Sequence, residues 1–387
     1  MQVRARAYGE RSTRQLRHKY RFGGRSVTST RLRGPVRGCL TSGWRDLDPE
    51  TADMIPGMSD PNPTLIWETI TAHQRSAALK AGVELGVFDA LRNGPVTAAE
   101  LACGAGVAER AMRILCDFLA VHGLIVKLDG RYSHTPTSAV FLDSQSPASM
   151  APTLPFLMND KIMRASHLLT ESVRENQTAL DEPLAGDEVD EWVTFARTMQ
   201  PMVAAAAEFI AGVIMRTSTP TKVLDVAASH GLFGMAVARL APKCEIVAQD
   251  FPSVLEVTAQ NARAAGVPIT LLPGSAFTVE LGTGYDAVIV TNLFHHFASP
   301  DIITLMKRFH AALRPEGLML TLEFVPNEDR VSPPVSASFS LMMLANTPAG
   351  DAYTMTEYSQ MLDAAGFGAR KIMDVPMSAQ QLIVASA

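Results

Sequence analysis

The stretch Val223-Leu224-Asp225-Val226-Ala227-Ala228-Ser229-His230-Gly231-Leu232-Phe233-Gly234 decides the fold. A short β-type run ends at Val226 in a cluster of small residues, and a helical pattern from Gly234 to Leu240 follows. Small residues after a strand let the backbone approach a ligand closely, and the next helix offers its N-terminus. Outward from this point the texture repeats. Runs at Glu245-Ile246-Val247-Ala248, Ile269 to Leu272, Ala287 to Val290 and Leu318 to Leu322 alternate with amphipathic helices over Ser253 to Ala265 and Ile302 to Leu313. That alternation predicts an α/β fold with a parallel sheet covered by helices on both faces. Two last β runs, Arg370 to Val375 and Gln381 to Val384, flank the turn-prone Pro376-Met377-Ser378 and allow an antiparallel closing pair.

Ligands of such sheets bind beyond the carboxyl ends of the strands, so the chemistry is sought there. The second strand runs into Gln249-Asp250-Phe251-Pro252, where a carboxylate can accept two hydrogen bonds from a ribose diol. A nicotinamide dehydrogenase would carry GxGxxG in the first loop, and this chain does not. The fourth strand leads into Asn292-Leu293-Phe294-His295-His296-Phe297, and the fifth ends in Thr321-Leu322-Glu323-Phe324. An imidazole titrates near neutral pH and can accept the proton of a reacting hydroxyl, and a carboxylate at the same sheet edge can orient it.

Upstream, residues 65 to 142 read as helices followed by a hairpin. Thr97-Ala98-Ala99-Glu100 has capping-box spacing, Val107 to Val121 is a helix stopped at Gly123, and Leu124 to Ser133 folds around the Asp129-Gly130 turn. This predicts a winged helix over residues 59–150, read either as a DNA-binding or as a packing and dimerisation module. Its seven basic and nine acidic side chains favour the second. Residues 151–215 read as linker helices, the last running unbroken from Val189 through Trp192, Phe195 and Met199 to Ile214, and residues 216–387 form the sheet domain.

A chain of 387 residues has room for roughly two to three domains, and 47% apolar with 19% charged residues describes a globular protein. Net charge is uneven. Residues 1–45 hold eleven Arg and Lys19 against Glu10, a balance of +11, leaving 22 basic and 38 acidic side chains, −16, on the rest. An acidic body is unsuited to nucleic acid. The basic stretch 1–53 reads as a disordered extension: a dispensable one, a transit peptide, or a tail for an anionic partner. Four scattered cysteines without metal spacing argue against disulfides or a zinc site, so no metal is expected, and a reducing cytoplasm fits. The most apolar window, Val203 to Ile214, is too short to span a membrane.

From about Pro61 onward the sequence resembles the two-domain, S-adenosylmethionine-dependent O-methyltransferases of the plant caffeate and acetylserotonin type and their bacterial relatives. Their first motif, (L/V)-D-V-G-G-G-x-G, aligns with Leu224 to Gly231, where Ala227, Ala228 and Ser229 replace glycines. The resemblance implies a Rossmann-like class I methyltransferase domain behind a winged-helix dimerisation domain, and hence a homodimer. It implies S-adenosylmethionine contacts from Asp225, Ala227, Gly231, Asp250, Phe251, Ser275, Ala276, Phe277 and Asn292. Ser275 and Ala276 stand where the family's Asp and Met touch adenine, and Thr291 replaces a family Lys. The L-H-D-W motif aligns with Phe294-His295-His296-Phe297, which makes His295 the general base, His296 the substitute for the family's Asp, and Glu323 the orienting acid. Where a second family Glu is due stands Ala352, with Asp351 one residue off. Phe195, Met199, Met342 and Met343 match positions lining the acceptor pocket. The implied reaction is methylation of a hydroxyl on a small aromatic or polyketide-like acceptor. The alternatives are a non-methylating use of the same cofactor, as in decarboxylation or cyclisation, and a ligand-sensing winged-helix protein.

Overall fold

The computed structural model describes residues 62–184, 190–217 and 219–387; the basic stretch 1–53 and the disorder expected of it lie outside the described residues. The chain divides at Trp67, and the unit Glu68–Ala387 holds every strand among the described residues and the whole candidate site.

The first part of that unit is built on three short antiparallel strands, β1 (Val96–Thr97), β2 (Ile125–Leu128) and β3 (Arg131–His134), in the order β1-β3-β2. Helices Ala98–Ala105 and Glu109–Val121 pack on them. The expected capping box is present: Thr97 Oγ1 accepts from the Glu100 amide at 3.2 Å, and the Glu100 carboxylate accepts from the Thr97 amide at 2.6 Å. Asp129 and Gly130 both take left-handed φ, at 48° and 75°, as a tight two-residue hairpin turn demands. Phe88, Leu91, Met112, Leu119, Ile125 and Tyr132 form the core, and the Tyr132 hydroxyl donates to Asp117 at 2.6 Å. Asp117 also binds Arg113 and Lys127, while Arg131 pairs with Glu100 and Arg92 with Asp143. Arg92, Arg113, Lys127 and Arg131, cations that a DNA backbone would need, are thus engaged by acids of the same domain.

One expectation fails in the linker. The apolar pattern from Val189 to Ile214 is two helices, Asp190–Thr198 and Gln200–Thr217, meeting at 70°. Pro201 lies just inside the second; its ring blocks the carbonyl four residues back, so the helix cannot run through. No single described helix is long and apolar enough to cross a membrane, although this bent pair together meets the length and composition criteria. The second helix buries Val203, Ala206, Ile210, Ala211 and Ile214 against Phe233 and Val237 of helix Leu232–Leu240.

The sheet that follows has seven strands: β4 (Lys222–Val226), β5 (Glu245–Asp250), β6 (Thr270–Pro273), β7 (Tyr285–Thr291), β8 (Leu313–Glu323), β9 (Arg370–Asp374) and β10 (Gln381–Ser386). Their order is β6-β5-β4-β7-β8-β10-β9, parallel except for β10, which is antiparallel to both neighbours and closes the edge as the sequence allows. Every residue of β7 is buried, as befits a strand covered on both faces. The chain winds one way from β4 to β5 and returns to β7 on the other side, so the crevice beyond β4 is the switch point where ligands of such sheets bind.

Candidate active site

The loop after β4 takes a glycine-type course with few glycines. Ala227, Ser229 and Gly231 have φ of 49°, 54° and 76°. Left-handed backbone costs an L residue roughly 1–2 kcal/mol, so the first two need holding. Four side chains supply it. The Ala227 amide donates to Gln249 Oε1 at 3.3 Å and the Ser229 amide to Asp250 Oδ2 at 2.8 Å. Thr258 Oγ1 donates to the Ser229 carbonyl at 2.5 Å, and Asn261 Nδ2 to the His230 carbonyl at 2.9 Å. The last two come from helix Pro252–Ala265, so strand end and helix grip the loop from both sides. Gly231 is irreplaceable on two counts: its φ, and a Cβ that would sit 2.7 Å from Thr258 Cγ2.

Asp250 is 8% exposed, and burial pushes its carboxyl up to about 6 although the amides of Ser229 and Phe251 both donate to it. Asp225 is fully buried; burial, then the Asp250 charge, pushes it up to about 7. One of its oxygens accepts from the Gly234 amide at 2.9 Å, and the other has no partner among the described residues. Phe251 packs with Trp192, Val254 and Val257. Beyond β6, Phe277 meets Phe297 edge-on with ring centroids 5.1 Å apart, its amide donates to Ser275 Oγ at 3.4 Å, and Arg308 binds the Ala276 carbonyl at 3.0 Å. Asn292, with φ 54°, accepts from the Gln380 side chain.

Across the same sheet edge, β7 and β8 bring together two side chains 28 residues apart. His295 Nδ1 lies 2.5 Å from Glu323 Oε2, with His295 4% and Glu323 0% exposed. The other carboxylate oxygen of Glu323 accepts from the Leu293 amide at 3.0 Å and the Phe294 amide at 2.9 Å. The carboxylate therefore cannot swing away, and in the neutral ring it holds the proton on Nδ1 and leaves the Nε2 lone pair free. His296 stacks obliquely on His295, centroids 4.3 Å apart, and meets Trp192 edge-on at 5.1 Å. Burial, then neighbouring His295, holds its imidazole well below the ordinary range, so it stays neutral. Asp351 does not reach the histidines. It is bound 3.3 Å from Arg330, which also takes Glu357, and Ala352 beside it is fully buried.

Phe195, Met199 and Met342 meet in one apolar cluster with Phe156, Ile162 and Leu184, whereas Met343 is 1% exposed in the interior.

An O-methyltransferase domain model matches residues 186–368, and an O-methyltransferase dimerisation domain model matches residues 67–144. A solved structure of a candidate O-methyltransferase from Nostoc punctiforme PCC 73102 is 42% identical with a TM-score of 0.83, spanning 85% of this chain and 100% of that one. The chain belongs to the two-domain, S-adenosylmethionine-dependent O-methyltransferase family. Acetylserotonin O-methyltransferase of Mus musculus molossinus is 28% identical over 319 residues, 76% of this chain and 80% of the relative. 3-Hydroxy-5-methyl-1-naphthoate 3-O-methyltransferase of Streptomyces sahachiroi is 26% identical over 324 residues, 79% and 89% of the two chains.

Three features of this O-methyltransferase are absent from the motif reading. Phe339 meets the His295 ring edge-on at 4.9 Å and stacks on Phe324 at 4.0 Å. Gly350 touches the His295 segment so closely that a Cβ there would lie 2.2 Å from the His295 carbonyl oxygen. Thr258 and Asn261 clamp the loop after β4. None has a local signature, since each acts on a partner distant in sequence; the helical pattern around Thr258 and Asn261 reads only as helix.

Proposed function

We propose that this O-methyltransferase methylates a hydroxyl of a small aromatic or polyketide-like molecule, with His295 as general base and Glu323 as the acid that orients it. The buried His295–Glu323 contact at 2.5 Å, its carboxylate fixed by two backbone amides, carries the reading. The residues at the β4–β5 edge fit the cofactor. Asp250 offers acceptors for the ribose, the Ala227–Gly231 loop keeps its open course, and Gly231 preserves space that a Cβ would fill. Bound S-adenosylmethionine supplies a methyl group on cationic sulfur.

Asp225, Ala227, Gly231, Asp250 and Phe251 form one wall of this site, and Ser275, Ala276, Phe277 and Asn292 the side toward adenine and β7. The chain's own contribution is to hold the acceptor oxygen in line and to take its proton at His295 Nε2, with Glu323 stabilising the imidazolium that results. Phe195, Met199 and Met342 form the apolar side that excludes water and suits a flat acceptor; the naphthoate and acetylserotonin specificities of the relatives point to the same class. His296 and Trp192 form a neutral, aromatic flank beside the base. Two copies associate through the N-terminal domain, where Ile70, Ile114, Val121 and Leu128 present exposed apolar side chains.

Turnover of a panel of hydroxylated aromatics, followed as S-adenosylhomocysteine release, tests the reading. His295→Ala should lower kcat by about 10²- to 10⁴-fold while leaving S-adenosylhomocysteine affinity intact. Unchanged turnover would remove His295 from the base role.

A further inference from the structure

The contact with Glu323 fixes one atom of the His295 ring and leaves the plane of that ring to be set by other groups. The χ2 torsion of an imidazole is broad, so small coupled turns about χ1 and χ2 keep Nδ1 near Glu323 while Nε2, on the far side of the ring, swings. Proton transfer from a held oxygen is sensitive to such a swing. Among the described residues no second carboxylate binds the ring: Asp351 is held 3.3 Å from Arg330, and Ala352 carries no acid.

Phe339 is placed to restrain it. It lies on helix Pro334–Asn346 and meets the His295 ring at an interplanar angle of 80°, with centroids 4.9 Å apart. Its own ring stacks on Phe324 at 4.0 Å and 23°, and Phe324 directly follows Glu323. The end of β8 thus supplies both the acid that binds one atom of the imidazole and the support for the aromatic ring that packs on it. The helix is anchored one turn earlier, where the buried Ser336 hydroxyl donates to the Ala379 carbonyl at 2.8 Å, between β9 and β10. His296 also touches the ring, at 4.3 Å and 55°, but it follows His295 in the chain and shares the motion of its backbone. Phe339 comes from a separate element and does not. We infer that Phe339 is a positioning residue for the base, holding the plane of the His295 ring so that Nε2 keeps its aim at the acceptor oxygen. The inference rests on the reading of His295 as base. Met342, three residues on and so on the same helix face, belongs to the apolar cluster assigned to the acceptor, which makes an acceptor contact the rival role for Phe339.

Crystal structures and steady-state kinetics of the full chain test it, with the fastest member of the hydroxylated-aromatic panel as acceptor. Phe339→Leu keeps apolar bulk without the aromatic ring and should lower kcat about tenfold, with acceptor KM and S-adenosylhomocysteine affinity within about twofold of wild type. Its crystal structure should show the His295 ring turned, or in two orientations, beside an unmoved Glu323. Phe339→Tyr, which keeps the ring, should retain kcat to within about twofold. In a His295→Ala background, adding Phe339→Leu should change the residual turnover by less than about twofold, because no ring remains to be held. A structural role or an acceptor contact would instead cost the same factor in both backgrounds. Unchanged kcat in Phe339→Leu, a rise in KM alone, an equal loss in both backgrounds, or a His295 ring that keeps its single orientation would overturn the assignment. If His295→Ala leaves turnover unchanged, the base reading falls and the inference with it; if His295→Ala loses turnover and Phe339→Leu does not, only the role of Phe339 is lost.

Discussion

Two places on one sheet edge solve the same problem in opposite ways. At the end of β4, the loop Ala227–Gly231 keeps its course by backbone geometry: left-handed φ at three positions, with amides and carbonyls gripped by Gln249, Asp250, Thr258 and Asn261. At the ends of β7 and β8, side-chain chemistry is what is held: the His295 ring against Glu323, with the carboxylate locked by two amides. The first tolerates replacement of glycines by alanine and serine because surrounding hydrogen bonds offset the strain. The second tolerates little under the proposed mechanism, in which proton transfer depends on the identity and tautomer of one ring. The loop replaces the motif's glycines with Ala227, Ala228 and Ser229; at the second place His295 and Glu323 stand where the motif has them, and the changes fall around them, with His296 for an Asp and Ala352 for a second Glu.

The contrast breaks most sharply at Glu323. Glu323→Gln keeps the shape but sets an amide against three N–H donors, so kcat should fall about 10²- to 10³-fold with S-adenosylhomocysteine affinity unchanged. An equal loss of affinity would mean that the two places are not separable. On the loop side, Gly231→Ala should cost about 2–3 kcal/mol of stability in thermal melts, through its left-handed φ and the clash with Thr258. A melting curve like the wild type's would show that the loop is not held as tightly as described.

The smallest effect is on pH. Asp250 is pushed up to about 6 by burial, and in the proposed site its ionised form is the one that accepts ribose hydroxyls. Affinity for S-adenosylhomocysteine should therefore be level above the carboxyl's titration and fall as pH drops through it, to about one tenth at one pH unit below. Asp250→Asn should bind weakly but without this slope; a slope that survives the substitution would assign the titration to another group, with Asp225 next in line.

Much of this was legible in the sequence, and the residues show why. The capping box at Thr97, the Asp129-Gly130 turn and the strand–helix alternation after Lys222 are local patterns, set by backbone propensity and burial period over a few residues. His295 and Glu323 were legible too, because strand-end positions on neighbouring parallel strands fall on one edge. The helix expected from Val189 to Ile214 failed at a local feature, Pro201, which outweighed the apolar period.

What the sequence by itself determined is the α/β class, the winged-helix module before it, and which residues fall at the carboxyl edge of the sheet. Tertiary structure alone decided which groups act on that edge from a distance. It brought Thr258 and Asn261 to the loop, Gly350 against the His295 backbone, and Phe339 over its ring, and it turned Asp351 toward Arg330. The physical reason is range. A pattern of period two or 3.6 reports which face of an element is buried, whereas a contact between segments tens of residues apart depends on how those buried faces pack, which no local spacing encodes.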